Sequence, residues 1–124
     1  MSDISQLPPK VQERLLQLQQ LQRSLQTILA QKQQVELELT ETEQALTELG
    51  NLTKNAVIYK SIGSLLVKSQ KNKVEAELKE QKELLSTRVE VLSKQEERLR
   101  SQLDQLQVKL KRDLNSRPSS FTVP

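Results

Sequence analysis

Apolar residues recur along the first half of the chain at the spacing of a coiled-coil seam. Counting by sevens from Val11 places Val11, Leu18, Leu25, Lys32, Leu39 and Leu46 on one line, with Leu21, Ile28, Val35, Thr42 and Leu49 on its companion. Two such lines among polar residues form the stripe through which one helix packs on another. Pro8 and Pro9 suit the start of this helix, because proline's missing N–H is not needed in the first turn. Gly50 and Asn51 suit its end, since both tolerate a left-handed backbone. The pattern predicts helix over 9–50. Lys32 and Thr42 interrupt the seam; a polar residue there either fixes register or partner, or is a solvated lapse in the pattern.

A second helical run is predicted over 72–115, opening at Asn72 with Glu75 three residues on, an arrangement like a capping box. Leu78, Leu85, Leu92, Leu99 and Leu106 recur every seventh position. The companion line Gln81, Arg88, Gln95 and Gln102 is polar, while Val89, Leu103 and Leu110 lie on the other flank, so the seam is shared between flanks. At about 1.5 Å per residue each helix is roughly 60 Å long. Matched lengths predict an all-α dominated fold, a long antiparallel two-helix coiled coil with the 124 residues as one unit. A single continuous helix dimerising in parallel fails at the centre, where Gly50, Asn51, Gly63 and the β-branched Val57, Ile58, Ile62 and Val67 disfavour helix. The Pro- and Ser-rich residues 116–124 are expected to form a flexible tail.

Between the helices lies VIYKSIGSLLVK, residues 57–68, which reads as a central β-hairpin turning at Gly63 and Ser64 in type II′ geometry. In that register Ile62 faces Leu65, Ser61 faces Leu66, Lys60 faces Val67 and Tyr59 faces Lys68. One face then carries Ile58, Ile62, Leu65 and Val67 with Lys60 among them, and the other carries Tyr59 and Leu66. An isolated hairpin is marginal in water, and a coiled-coil end offers it only a small platform. Copies or relatives pairing their hairpins edge to edge would close an intersubunit β-barrel that leaves no free edge. Ile58, Tyr59, Ile62, Gly63, Leu65, Leu66 and Val67 are therefore the candidate oligomerisation residues. A hairpin that merely reverses the chain is the alternative.

Composition narrows the function. Aromatic residues make up 2% and charged residues 28% of the chain, too little bulk for a globular enzyme core and typical of long amphipathic helices. The chain has no Cys and no His, which removes disulfides, thiol nucleophiles and imidazole chemistry, and no Gly-rich phosphate loop appears. No enzymatic activity, cofactor or metal is expected. The N-terminal sequence lacks the pattern of a signal peptide and no apolar run reaches membrane-spanning length, so a cytoplasmic protein with no membrane partner is expected. Net charge is +3, and Lys54, Lys60, Lys68, Lys71 and Lys73 cluster around the hairpin without an acidic residue among them. Lysines of this kind discourage stray edge pairing. Binding of single-stranded nucleic acid would want interleaved aromatics, and Tyr59 is the only one present there, so no nucleic-acid partner is expected.

The ends of the helices nearest the termini are rich in aliphatic residues: Val11, Leu15, Leu16 and Leu18 on one, Leu106, Val108, Leu110 and Leu114 on the other. Two seam lines cannot bury all of these in a two-helix tip. They are the candidate client-binding residues, with ordinary coiled-coil packing and fraying ends as the other reading. Lys109, Lys111 and Arg112 complement the helix C-terminus or attract acidic partners.

The order helix, VIYKSIGSLLVK, helix resembles the β-type subunits of the prefoldin family, archaeal or of a eukaryotic β class. The Tyr-Lys pair, the turn glycine and the following LLVK are the specific part, and the heptad-rich flanks extend the likeness over nearly the whole chain. A single hairpin fits the β type, whereas α-type subunits have two. The resemblance implies a hexamer of two α-type and four β-type subunits with a hairpin barrel and projecting coiled coils. It implies an ATP-independent chaperone that captures non-native polypeptides and passes them to a group II chaperonin. Phe121 and Val123 match no motif of the family. A structural coiled-coil adaptor or tether without chaperone activity is the competing reading.

Overall fold

The structure, a computed structural model, describes residues 6–115. Its elements are α1 (Pro9–Gly50), β1 (Ile58–Ile62), β2 (Leu65–Ser69) and α2 (Lys71–Asn115). The segment 116–124 expected to be a tail, with Phe121 and Val123, lies outside the described residues.

Local chemistry accounts for where the elements begin and end. The Pro8 carbonyl accepts from the N–H groups of Val11 and Gln12, both at 3.0 Å, so Pro9 occupies the first helical position where its missing donor costs nothing. At the other end α1 stops at Gly50 without the expected left-handed residue, since Gly63 is the one described residue with positive φ. Instead the helix tightens. Asn51 N–H is shared between the carbonyls of Thr47 and Glu48, and Leu52 N–H reaches Leu49 O, all at 3.2 Å. These shorter bonds satisfy the last carbonyls directly. The expected cap of α2 also shifts. Strand β2 runs to Ser69, so the helix begins at Lys71, and the Gln70 carbonyl accepts from Val74 N–H at 3.0 Å. Asn72 falls inside the first turn, where its Oδ1 accepts from Lys73 N–H at 2.9 Å, and it is not the N-cap.

The described residues divide into two compact units, 31–92 and 6–30 with 93–115. In the first, α1 and α2 run antiparallel over a line of buried Val35, Thr42, Leu49, Leu85 and Leu92, with Leu39, Leu46, Leu78 and Val89 half-buried beside them. Lys82 Nζ lies 3.7 Å from a Glu43 carboxylate oxygen across the pair. Thr42 is buried in the seam, but its hydroxyl donates to Glu38 O of its own helix at 2.9 Å. It is a polar lapse satisfied locally. In the second unit Val11, Leu106 and Leu110 form a buried cluster on which Leu7, Leu15, Leu18 and Leu21 pack, with Leu103 also buried. An ion pair between Arg14 and Asp113 bridges the two helices there. In both units the polar line Gln81, Arg88, Gln95 and Gln102 of α2 faces solvent, and the Leu line is completed by Val89, Leu103 and Leu110.

Candidate functional site

The two strands pair antiparallel as Ile58↔Ser69, Tyr59↔Lys68, Lys60↔Val67, Ser61↔Leu66 and Ile62↔Leu65, the register read from the sequence. Gly63 has φ 58°, and no other described residue has positive φ. A two-residue turn with positive φ only at its first position is type II′, whose twist matches that of the strands. Alternation therefore places Ile58, Lys60, Ile62, Leu65 and Val67 on one face of the ribbon and Tyr59, Ser61, Leu66 and Lys68 on the other.

Little of this ribbon is covered within the chain. Leu66 is 72% exposed and Leu65 66% exposed, although they lie on opposite faces. Tyr59, Ile62 and Val67 are exposed as well, and only Ile58 is half-buried. A soluble chain rarely leaves this many large apolar side chains contiguous and bare, and two-sided exposure on a short ribbon marks a surface built for association.

Lys60, the charged residue among aliphatic neighbours, has a specific partner. Its Nζ donates to Glu77 Oε2 at 2.7 Å. That hydrogen bond is the main cause holding the Glu77 carboxyl below the usual carboxylate range; desolvation opposes it, and the positive charges of Lys60 and Lys73 add smaller lowering effects. Lys71 Nζ donates to Leu52 O at 2.7 Å and ties the loop before the hairpin to the start of α2. Sequence reasoning missed Glu77, because nothing local links positions 60 and 77.

The eight aliphatic residues expected at the tip divide three ways. Val11, Leu106 and Leu110 are buried against one another, Leu15 and Leu18 pack half-buried on that cluster, and Leu16, Val108 and Leu114 are exposed. The first five build the helix pair, and the last three are presented to solvent. Among the described residues there is no cluster of carboxylates placed to hold a metal ion, and no helix is long and apolar enough to cross a membrane.

A single exposed hairpin between two long antiparallel helices is the architecture of a chaperone subunit class, and comparison with known proteins gives the family. Residues 12–117 match the family model described as prefoldin subunit, and the chain belongs to that family of chaperone subunits. Within it the similarity is to subunits named beta. The prefoldin subunit beta of Methanothrix thermoacetophila is 44% identical over 113 residues, covering 91% of this chain and 94% of that protein. That of Thermococcus kodakarensis is 47% identical over 100 residues, covering 81% and 86%. The crystal structure of the prefoldin beta subunit from Thermococcus strain KS-1 superposes with a TM-score of 0.83 at 43% identity, covering 95% of this chain and all of that one. The beta2 subunit from the same strain gives 0.67 at 25% identity, covering 73% of this chain and 97% of that one.

Proposed function

We propose that this chain is the β-type subunit of an ATP-independent holdase that captures non-native polypeptides at its coiled-coil tips. It assembles through the hairpin with an α-type prefoldin subunit and further β-type copies, as a hexamer of two α and four β, and delivers clients to a group II chaperonin in the cytoplasm. The observation that carries this reading is the ribbon with large apolar side chains bare on both faces.

Pairing hairpins edge to edge gives the ribbon a closed sheet and covers one face or both, which is the economical way to remove Leu65, Leu66, Ile62 and Tyr59 from water. The tips then hang from a common platform. Leaving Leu16, Val108 and Leu114 in water costs roughly 1.5–3 kcal/mol per side chain relative to burial, which is recovered on meeting an apolar segment of an unfolded chain. Each such contact is weak. Several tips on one platform hold a client by avidity, because capture by one raises the local concentration at the rest.

The test is the aggregation of a diluted, chemically unfolded protein followed by light scattering. The assembled complex suppresses scattering to the same degree with and without ATP. An absolute nucleotide requirement would remove the ATP-independent mechanism, and no suppression at all would leave the structural tether as the better reading.

A further inference from the structure

The hairpin unit carries two surfaces of opposite charge, each with charged side chains that have no ion-pair partner among the described residues. The first is a cleft of about 580 Å³ where the loop after α1, the end of β2 and the start of α2 meet. Lys54, Lys68 and Lys71 line it from these three elements, beside the apolar Ala56 and the exposed Val57, and its one acidic lining residue, Glu75, is paired with Lys79 at 3.2 Å. Lys71 is engaged by the Leu52 carbonyl, whereas Lys54 and Lys68 have no ion-pair partner among the described residues. The second surface is the outer side of α1 in the same unit. Leu37, Glu41 and Glu48 follow one another at four and seven residues and so share one flank of α1, and Leu52 lies in the turn just past the helix. Both leucines are exposed, and neither glutamate is in an ion pair among the described residues.

We infer that these two surfaces bind each other between neighbouring copies of this chain, the lysine-lined cleft of one copy receiving the Glu41–Glu48 flank of the next. The inference rests on the hairpin-based assembly proposed above and adds what orders adjacent subunits around it. Both surfaces combine an exposed aliphatic group with unpaired charge, and the charges are of opposite sign. A second copy is the occupant because one sequence carries both halves. Two different patches meeting in this way make a heterologous, head-to-tail contact wherever two copies of this chain stand side by side, whereas a patch that met itself would bring like charges together. The contact also accounts for Leu37 and Val57, large apolar groups that neither the seam nor the hairpin faces cover.

The experiment is complementation between charge-reversed full-length chains, read by sedimentation and native mass spectrometry at low salt. One variant carries Lys54→Glu and Lys68→Glu, the other Glu41→Lys and Glu48→Lys. All four positions are exposed, so circular dichroism should match that of the unaltered chain. Unaltered copies should associate, and each variant alone should associate about tenfold more weakly or worse because like charges now face each other. An equimolar mixture should recover association, since the altered cleft meets the altered flank and the two unaltered surfaces meet as before. Added salt should narrow all of these differences. Unaltered chains that stay monomeric at high concentration, variants that associate normally, or a mixture that fails to recover would each overturn the inference. So would a loss seen only in pairing with an α-type subunit. A parallel variant with Ile62, Leu65 and Val67 replaced by Ser separates the two levels. If it assembles normally, the hairpin reading itself fails; if it falls apart while the charge variants are silent, only the contact proposed here fails.

Discussion

Lys60 Nζ donates a hydrogen bond to Glu77 Oε2 at 2.7 Å, joining the middle of β1 to the second turn of α2. Lys60 shares its sheet face with Ile58, Ile62, Leu65 and Val67, so the bond turns the centre of that face toward α2. The opposite face, with Tyr59 and Leu66, has no such tie among the described residues. One exposed ion pair contributes little to stability on its own. Its effect is orientational, since it restricts how a small ribbon can swing about its two short connections.

Acid should release this tie. The Glu77 carboxyl titrates below its ordinary range in the folded chain, mainly because it accepts the Lys60 hydrogen bond. A carboxylate with depressed folded pKa contributes stability above its unfolded pKa and loses that contribution as pH falls through the folded value. Carboxyl chemical shifts followed by NMR should therefore give Glu77 a low midpoint, which Lys60→Met moves back up to the ordinary range. An unmoved midpoint would mean that the pair does not form in solution.

Removing the apolar face of the hairpin should dissolve the assembly without unfolding the helices. Replacing Ile62, Leu65 and Val67 by Ser or Thr keeps strand-compatible backbones and removes no seam residue. Loss of burial for three aliphatic groups amounts to several kcal/mol per chain, at roughly 1.5–3 kcal/mol for each. Sedimentation with the α-type partner should show separated subunits that circular dichroism still reports as mostly helical. Persistence of the full complex would make the hairpin a simple chain reversal.

Gly63 should tolerate a side chain sterically and refuse it conformationally. A Cβ built there meets no atom within 4 Å, but φ is 58°. Gly63→Ala should therefore destabilise the hairpin by about 1–2 kcal/mol through backbone strain alone. Hydrogen exchange should quicken across residues 58–69 and leave the centres of α1 and α2 unchanged.

The three classes of tip residue should separate binding from folding. Leu16→Ser, Val108→Ser and Leu114→Ser together should weaken client capture while thermal stability stays nearly constant. Leu106→Ala or Leu110→Ala should cost about 2 kcal/mol, at the low end for buried leucine because the tip is only two helices thick. If the Ser variants suppress aggregation as well as the parent, the clients bind elsewhere.

Thr42→Val should stabilise the helix pair by about 0.5–1 kcal/mol. The Thr42 hydroxyl satisfies itself on Glu38 O, which remains within the helix, so an isosteric methyl adds apolar contact and strands no partner. A rise in the urea midpoint is the expected readout. A fall would mean that Thr42 is used for register after all.

Much of this protein is written in local pattern. The heptads from Val11 to Leu49 and from Leu78 to Leu106 specify two helices because one stripe must be buried. Gly63 between β-branched and aliphatic runs specifies the turn and, through it, the strand register, because a two-residue loop leaves the chain no freedom to slip. What the pattern left undecided depends on which side chains arrive at the same place from distant positions. The partner of Lys60 lies seventeen residues away. The division of the tip leucines has the same origin. Val11 stands on the heptad line and Leu16 off it, but it was the packing of the two helices that made one core and left the other a presented surface.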